Sequence, residues 1–206
     1  KANFVLFFMR IGIDVDEVLA DFMTYFLKYY NKTYDTNLER NDFKNYSLWH
    51  TLGGTETDSK RIIDDYFYSE DFEKMGLIYG SQYGVKKLSK NNELIVITAR
   101  PEKTYNKTVD WLGKYFPNRF SGIEFSRGWK NKKNPSWKKK DICIAKNIDV
   151  LFEDNFDYAT ECAQEGIEVK LFDCPWNQEK ILLDEVVRVY SWGDAVGSLT
   201  SPYTKR

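Results

Sequence analysis

The chain of 206 residues has the length of one ordinary domain or of a domain carrying an insert. Lys and Arg number 30 against 31 Asp and Glu, and the resulting formal charge of −1 excludes a highly basic nucleic-acid protein and an acidic disordered tail. Hydrophobic residues at 42% and aromatics at 17% supply a buried core, which excludes intrinsic disorder.

Cys143, Cys162 and Cys174 are odd in number and contain no C-x-x-C pair, so neither a disulfide framework nor a zinc site is expected. The single histidine, His50, cannot build a His-rich metal site and reads as a surface or capping residue. No apolar run approaches the roughly 20 residues that cross a bilayer. Residues 4–9 are too short for a secretory segment and lead directly into a strand pattern. The expectation is a cytoplasmic protein with no membrane partner.

In chain order, residues 9–15 form an apolar run ending in acids, the first expected strand. Leu19, Phe22, Met23, Phe26, Leu27 and Tyr30 then keep the three-and-four spacing of a helical stripe. A polar, aromatic-rich stretch follows (Phe43, Tyr46, Trp49), then a breaker at Gly53-Gly54 and helical segments over 60–68 and 82–90. Residues 93–98 read as the second strand. Tyr105, Val109, Leu112 and Phe116 mark a helix after Pro101, and 122–126 a third strand. A helix over 138–146, a strand over 149–153, a helix over 156–164 stopped by Gly166, and a strand over 167–173 come next. Residues 187–192 are a candidate sixth strand. Continuous apolar strands alternating with helices predict an α/β fold with a doubly wound parallel sheet. The long connection between Asp16 and Thr98 holds no clear strand, so it reads as a lid or an inserted helical domain.

The chemistry gathers at the carboxyl ends of the strands, where open α/β sheets bind ligands. Asp14 and Asp16 end the first strand at i and i+2. Two such carboxylates either seek a cation, a hard one such as Mg²⁺ suiting oxygen ligands, or act as an acidic pair capping a helix. The second strand ends in Thr98-Ala99-Arg100, a hydroxyl and backbone donors suited to an oxyanion. Lys138, Lys139 and Lys140 precede a strand that ends in Glu153-Asp154. Asp, Asp, Thr, Lys and Asp therefore arrive in order at one sheet edge.

In that ordered set the sequence resembles the haloacid dehalogenase (HAD) superfamily of phosphohydrolases, and within it the 5′(3′)-deoxyribonucleotidases. The matching segments are Asp14-Val15-Asp16-Glu17-Val18-Leu19-Ala20-Asp21-Phe22 and Thr98-Ala99-Arg100-Pro101. Lys139-x-Asp141-x-Cys143, Leu151-Phe152-Glu153-Asp154, Pro175-Trp176-Asn177 and Ser191-Trp192 continue the match. The resemblance implies a Rossmann-like core over residues 1–19 and 84–206, with a helical cap over 20–83 inserted after the first strand. It implies a phosphomonoesterase that requires Mg²⁺ and forms an aspartyl-phosphate on Asp14, with Asp16 as acid and base. It further implies Thr98 on a phosphoryl oxygen and Lys139 neutralising charge; Ala99 and Arg100, next in the chain, are candidates for contact with the substrate. The metal would take Asp14, the Asp16 carbonyl and Asp154, with Glu153 supporting it from behind. Lys139 is preferred over its neighbours because it keeps the family spacing to Asp141 and Cys143. One residue of offset turns a helical side chain by about 100°. Asp157 either holds metal-bound water or caps a helix.

Three positions depart from the family pattern: Glu17 replaces a Gly of the mammalian relatives, Arg100 a smaller residue, and Tyr79 a Pro. Arg100 either contacts substrate phosphate or pairs with a carboxylate. Phe22 matches an aromatic lining the nucleobase pocket but also belongs to the first helix's apolar stripe. Phe43, Tyr46, Trp49, Tyr66 and Phe67 add stacking surface or form the core of the insert. Arg127, Lys130, Lys132, Lys133 and the three following lysines interleave with Trp129 and Trp137, either as a solvated loop or as a nucleic-acid contact. The leading expectation is hydrolysis of nucleoside monophosphates, a small-molecule phosphomonoester being the partner. Alternatives are a sugar phosphatase, a phosphatase of polynucleotide 3′ ends, and a non-catalytic nucleic-acid-binding protein on the same fold.

Overall fold

The computed structural model describes residues 8–126, 137–178 and 181–200. The apolar runs form β1 (Arg10–Ile13), β2 (Glu93–Thr98), β3 (Gly122–Phe125), β4 (Val150–Glu153), β5 (Glu168–Phe172) and β6 (Val186–Val189). They make one six-stranded sheet in the order β3-β2-β1-β4-β5-β6, and every pairing is parallel. That order is the doubly wound α/β arrangement. Its direction reverses between β1 and β4, the point where such sheets open a crevice at their carboxyl ends.

Both faces of the sheet are covered, so the strands need no polar face. Leu94 and Val96 of β2 join Ile11, Ile13, Val150 and Phe152 in one core, while Ile95 and Ile97 join Leu151, Val169 and Leu171 in the other. Five helices lie between β1 and β2: α1 (Phe22–Tyr34), α2 (Trp49–Leu52), α3 (Glu56–Tyr68), α4 (Glu70–Glu73) and α5 (Ser81–Leu88). The remainder are α6 (Tyr105–Tyr115), α7 (Lys139–Ala145), α8 (Phe156–Ala163) and α9 (Trp192–Thr200). Residues of α7 and α8, among them Ile142, Cys143, Ala159 and Cys162, supply the second core. All three cysteines are free and buried.

The structure departs from the sequence pattern at two ends. The apolar stripe that opens at Leu19 is helical only from Phe22. Before it, the amides of Leu19 and Ala20 both donate to the Val15 carbonyl, and Glu17 takes a left-handed φ of 59°. Val18 and Leu19 are fully buried within this turn, so an apolar spacing read as helix belongs instead to a packed reverse turn. At the other end β6 stops at Val189, and the segment read as strand to Trp192 turns into α9, where Ser191 Oγ accepts from the Asp194 amide at 3.1 Å.

Aromatic rings hold the long connection together. Phe22 lies 5.7 Å from Phe26, 5.5 Å from Tyr66 and 6.0 Å from Phe67, and Phe72 closes on Tyr66 and Phe67. Phe43, Tyr66 and Phe67 are buried in this core, whereas Tyr46 is exposed and His50 is an exposed ring stacked on Trp49. The connection is anchored to the sheet through α5, which packs on α9. The Trp192 ring sits against Phe152 and Phe172 and donates its indole N–H to the Val18 carbonyl at 2.8 Å.

Gly84 of α5 lies under that ring, and a Cβ there would meet Trp192 Cε3 at 2.1 Å. The ring is locked on three sides and cannot withdraw. Gly84→Ala is therefore expected to destabilise the protein by about 2 kcal/mol, the overpacking cost exceeding the roughly 1 kcal/mol gain in helix propensity. Denaturant unfolding measures this, and a variant at or above parental stability would contradict the packing described.

Candidate active site

Parallel pairing carries β1 one residue past its end: the Asp14 amide donates to the Phe152 carbonyl at 3.0 Å, placing Asp14 beside Glu153 and Asp154. Carboxylate oxygens of Asp14, Glu153 and Asp154 lie within 4.8 Å of one another, and all three residues are buried. Lys139, the first residue of α7 and itself 1% exposed, reaches this group. Its Nζ is 2.9 Å from Asp14 Oδ1 and 2.6 Å from Glu153 Oε2. Its neighbours turn away, Lys138 to Glu161 at 2.6 Å and Lys140 to Glu165 at 2.9 Å. The remainder of the basic stretch, residues 127–136, lies outside the described residues.

Each carboxylate is held differently. Glu153 is saturated: Oε2 takes Lys139, and Oε1 accepts from the amides of Asp154 and Asn155 at 3.2 and 3.0 Å. Asp154 Oδ2 accepts the Trp176 indole N–H at 2.9 Å, and Asn177 Nδ2 donates to the Asp154 carbonyl at 2.7 Å. Asp14 Oδ1 pairs with the Lys139 ammonium at 2.9 Å. Three buried carboxylates facing the Lys139 ammonium form an all-oxygen donor set that fits a hard divalent cation.

The electrostatics carry the same imbalance. Burial pushes the Asp14 carboxyl up to about 7, opposed by Lys139 and reinforced by Glu153 and Asp16. Burial also raises Asp154 well above the carboxylate range, with Glu153, Asp14 and Glu17 adding to it. For Lys139, burial acts to lower the pKa, but the Asp14 and Glu153 carboxylates outweigh it and hold the ammonium above its ordinary value.

The other residues singled out from the sequence fall around this cluster. Thr98 ends β2 two residues beyond Val96, the register partner of Ile13, so it reaches the same edge and is buried there. Its Oγ1 accepts from the Arg100 amide at 3.2 Å, and Ala99 between them is half-buried. Asp16 does not join the three carboxylates. Its side chain is bound by Arg100, which is buried, with Nη2 at 2.6 Å from Oδ1 and Nε at 3.0 Å from Oδ2. Phe22 is half-buried within the aromatic core described above, and Asp157 is exposed.

Three further residues escaped the sequence reading. Trp176 and Asn177 brace Asp154 from the turn after β5, and the Pro175-Trp176-Asn177 match was the available signal. Arg40, in a 3₁₀ turn between α1 and α2, ion-pairs with buried Glu17, donates to Cys174 Sγ at 3.3 Å and lies 4.9 Å over the Trp176 ring. Glu17 also accepts from the Met23 amide at 2.6 Å. These bonds offset the backbone cost of a glutamate in the left-handed region. A cavity of about 560 Å³ opens next to this network, lined by Lys44, Tyr46, Asn155, Phe156 and Trp176 among others.

Residues 8–200 match the family described as 5′ nucleotidase, deoxy (Pyrimidine), cytosolic type C protein. The chain belongs to that family. It is a phosphoric monoester hydrolase of the HAD-like nucleotidase type. YqfW of Bacillus subtilis strain 168, named as a candidate nucleotidase, is 29% identical over 192 residues, 91% of this chain and 92% of that protein. The 5′(3′)-deoxyribonucleotidase of the same strain is 28% identical over 190 residues, covering 88% of this chain and 93% of the relative. In fold, the chain is similar to the haloacid dehalogenase-like protein SP0104 of Streptococcus pneumoniae. The TM-score is 0.68 and the identity 13%, over 94% of this chain and 99% of that one. The HAD hydrolase YfnB of Bacillus subtilis, solved bound to magnesium, gives a TM-score of 0.62 at 15% identity over 94% and 99% of the two chains. Among the described residues no helix is long and apolar enough to cross a membrane.

Burial also pushes Glu17 up to about 7, against the pull of Arg40 and the Met23 amide. Asp14 and Glu17 thus bind protons more tightly folded than unfolded, where carboxylates titrate near 4. Stability from these two groups is complete below that value and is lost as pH rises toward about 7. In EDTA-treated protein, the melting temperature is expected to fall between roughly pH 5 and pH 7, and less steeply in Glu17→Gln. A divalent cation favours the ionised carboxylates, so its stabilising effect should grow over the same interval. A melting temperature that rises through this interval in EDTA would contradict the raised values.

Proposed function

We propose that the protein hydrolyses nucleoside monophosphates, deoxyribonucleotides foremost, in the manner of the 5′(3′)-deoxyribonucleotidases, with Mg²⁺ as cofactor and Asp14 as nucleophile. The observation that carries this reading is the buried Asp14 carboxylate, paired with Lys139 and gathered with Glu153 and Asp154 at the sheet edge. Asp14, Asp154 and the Asp16 carbonyl would hold the cation, as the donor chemistry suits; bound there, it would neutralise charge on the phosphoryl oxygens.

The residues of the chain do the rest. Asp14 attacks phosphorus, the bond to the leaving oxygen breaks, and an aspartyl-phosphate forms. Asp16 delivers a proton to the leaving oxygen and then takes one from the water that hydrolyses the acyl phosphate. Lys139 keeps Asp14 oriented and offsets the charge that builds on the transferring group. Thr98 and the backbone at Ala99 supply donors to the phosphoryl oxygens. Glu153, saturated by its own hydrogen bonds, holds Lys139 and the Asp154 backbone in place.

In this reading residues 20–83 act as a cap over a core formed by 1–19 and 84–206. The nucleoside is received between them, in the cavity that Tyr46 shares with Phe156 and Trp176.

Phosphate release from 5′- and 3′-deoxynucleotides, ribonucleotides and sugar phosphates tests the reading directly. Activity should require Mg²⁺, stop with EDTA, and fall at least about a thousandfold in Asp14→Asn and about a hundredfold in Lys139→Met. Asp14→Asn that keeps its activity would end the proposal. Trp176→Phe removes the indole donor from Asp154, and the Mg²⁺ concentration giving half-maximal rate should rise about tenfold. An unchanged Mg²⁺ requirement would take Asp154 out of the metal site.

A further inference from the structure

Arg100 stands at a position that the sequence left divided between substrate phosphate and a carboxylate. Its side chain is 1% exposed, so it cannot be ionised there without partners. Those partners surround it. Nε and Nη2 fork onto both oxygens of Asp16, and Nη1 donates to Thr108 Oγ1 on α6 at 3.2 Å. Nη2 also lies 3.5 Å from Met75 Sδ, and the guanidinium sits 5.2 Å from the Phe72 ring centroid. Met75 is itself pinned, its carbonyl accepting the Trp111 indole N–H at 2.8 Å. At 1% exposure the guanidinium is closed off by these neighbours, while the Asp16 carboxylate it grips retains 27% exposure toward solvent.

We infer that Arg100 is a positioning residue for Asp16, not a ligand of the substrate, and that it ties the aim of that carboxylate to the segment carrying Phe72 and Met75. A bidentate fork fixes a carboxylate in two directions at once, which one point charge cannot do. Asp16 lies within the reverse turn closed on the Val15 carbonyl and has no other side-chain partner among the described hydrogen bonds, so without the fork no side-chain contact fixes its χ angles. Phe72 and Met75 belong to the connection between β1 and β2, so a shift of that connection would be felt at Asp16 through Arg100.

The inference rests on the proposed role of Asp16 in protonating the leaving oxygen, and its test uses that chemistry. An alkyl phosphate such as a deoxynucleoside 5′-monophosphate needs the proton; p-nitrophenyl phosphate, with a good leaving group, scarcely does. kcat/KM reports steps up to phosphoryl transfer, so the comparison is free of later hydrolysis. Arg100→Met should lower kcat/KM about thirtyfold or more on the nucleotide and less than about threefold on p-nitrophenyl phosphate. In an Asp16→Asn background it should add little, as expected for residues acting as a unit. Arg100→Lys keeps the charge without the fork and should show the same asymmetry, which covers the case in which the Met variant does not fold. Equal losses on both substrates, or losses additive with Asp16→Asn, would overturn the inference, as would an unchanged kcat/KM. Asp14→Asn, assayed in parallel on both substrates, tests the phosphatase reading separately, because that reading fails only if Asp14→Asn stays active.

Discussion

A single buried ammonium balances the carboxylates at the centre of this sheet edge. Removing a carboxylate and a lysine from water costs several kcal/mol for each ion, and their attraction offsets this only where the geometry is good and the remaining oxygens are hydrogen-bonded. Lys139 meets that condition toward Asp14 and Glu153, and the amides of Asp154 and Asn155 complete Glu153. What is left over is negative, since Asp14, Glu153 and Asp154 share this ammonium and burial raises both Asp14 and Asp154. The fold tolerates that excess because sheet pairing and the Trp176 and Asn177 donors hold the groups where they are. The same excess is the feature a hard cation would complete.

Around the cluster runs a second layer of charge that joins the long β1–β2 connection to the core. Arg100 links Asp16 to Phe72 and Met75, and Arg40 links Glu17 to Cys174 and Trp176. Both are arginines, and both combine hydrogen bonds with a contact to an aromatic ring. A planar, weakly hydrated guanidinium is suited to such half-apolar surroundings. These aromatic rings therefore do more than fill space, since Phe72 of the connection and Trp176 of the turn after β5 each sit between a packing cluster and an ion pair.

Much of the site was legible before any coordinates. Asp14 and Asp16 stood out by their place at the end of an apolar run and Glu153-Asp154 by the same pattern, while the choice of Lys139 among three lysines came from the family resemblance, through its spacing to Asp141 and Cys143. Trp176 and Arg40 were not. Their importance comes from meeting Asp154 and Glu17 across distant segments, and no local periodicity records such a meeting. Leu19 shows the opposite error: its apolar spacing is real, but it reports burial, and burial was supplied by a reverse turn closed on the Val15 carbonyl. Helix α9 went unread because Ser191 and Asp194 cap it inside a segment whose apolar residues also suit a strand.

By itself, the sequence determined that this is an α/β chain with a parallel sheet, and that its carboxylates, hydroxyl and lysine arrive in order at one edge. Those are matters of period and spacing along the backbone. Tertiary structure decided which oxygen meets which nitrogen. Of three adjacent lysines, one is buried against Asp14 and two pair with Glu161 and Glu165. Of two acids two residues apart, one joins Glu153 and Asp154 while the other turns to Arg100. Side chains one or two positions apart differ little in sequence pattern, but helix rotation and the direction of a turn send them into different surroundings. Charge is paid for by those surroundings, not by the pattern.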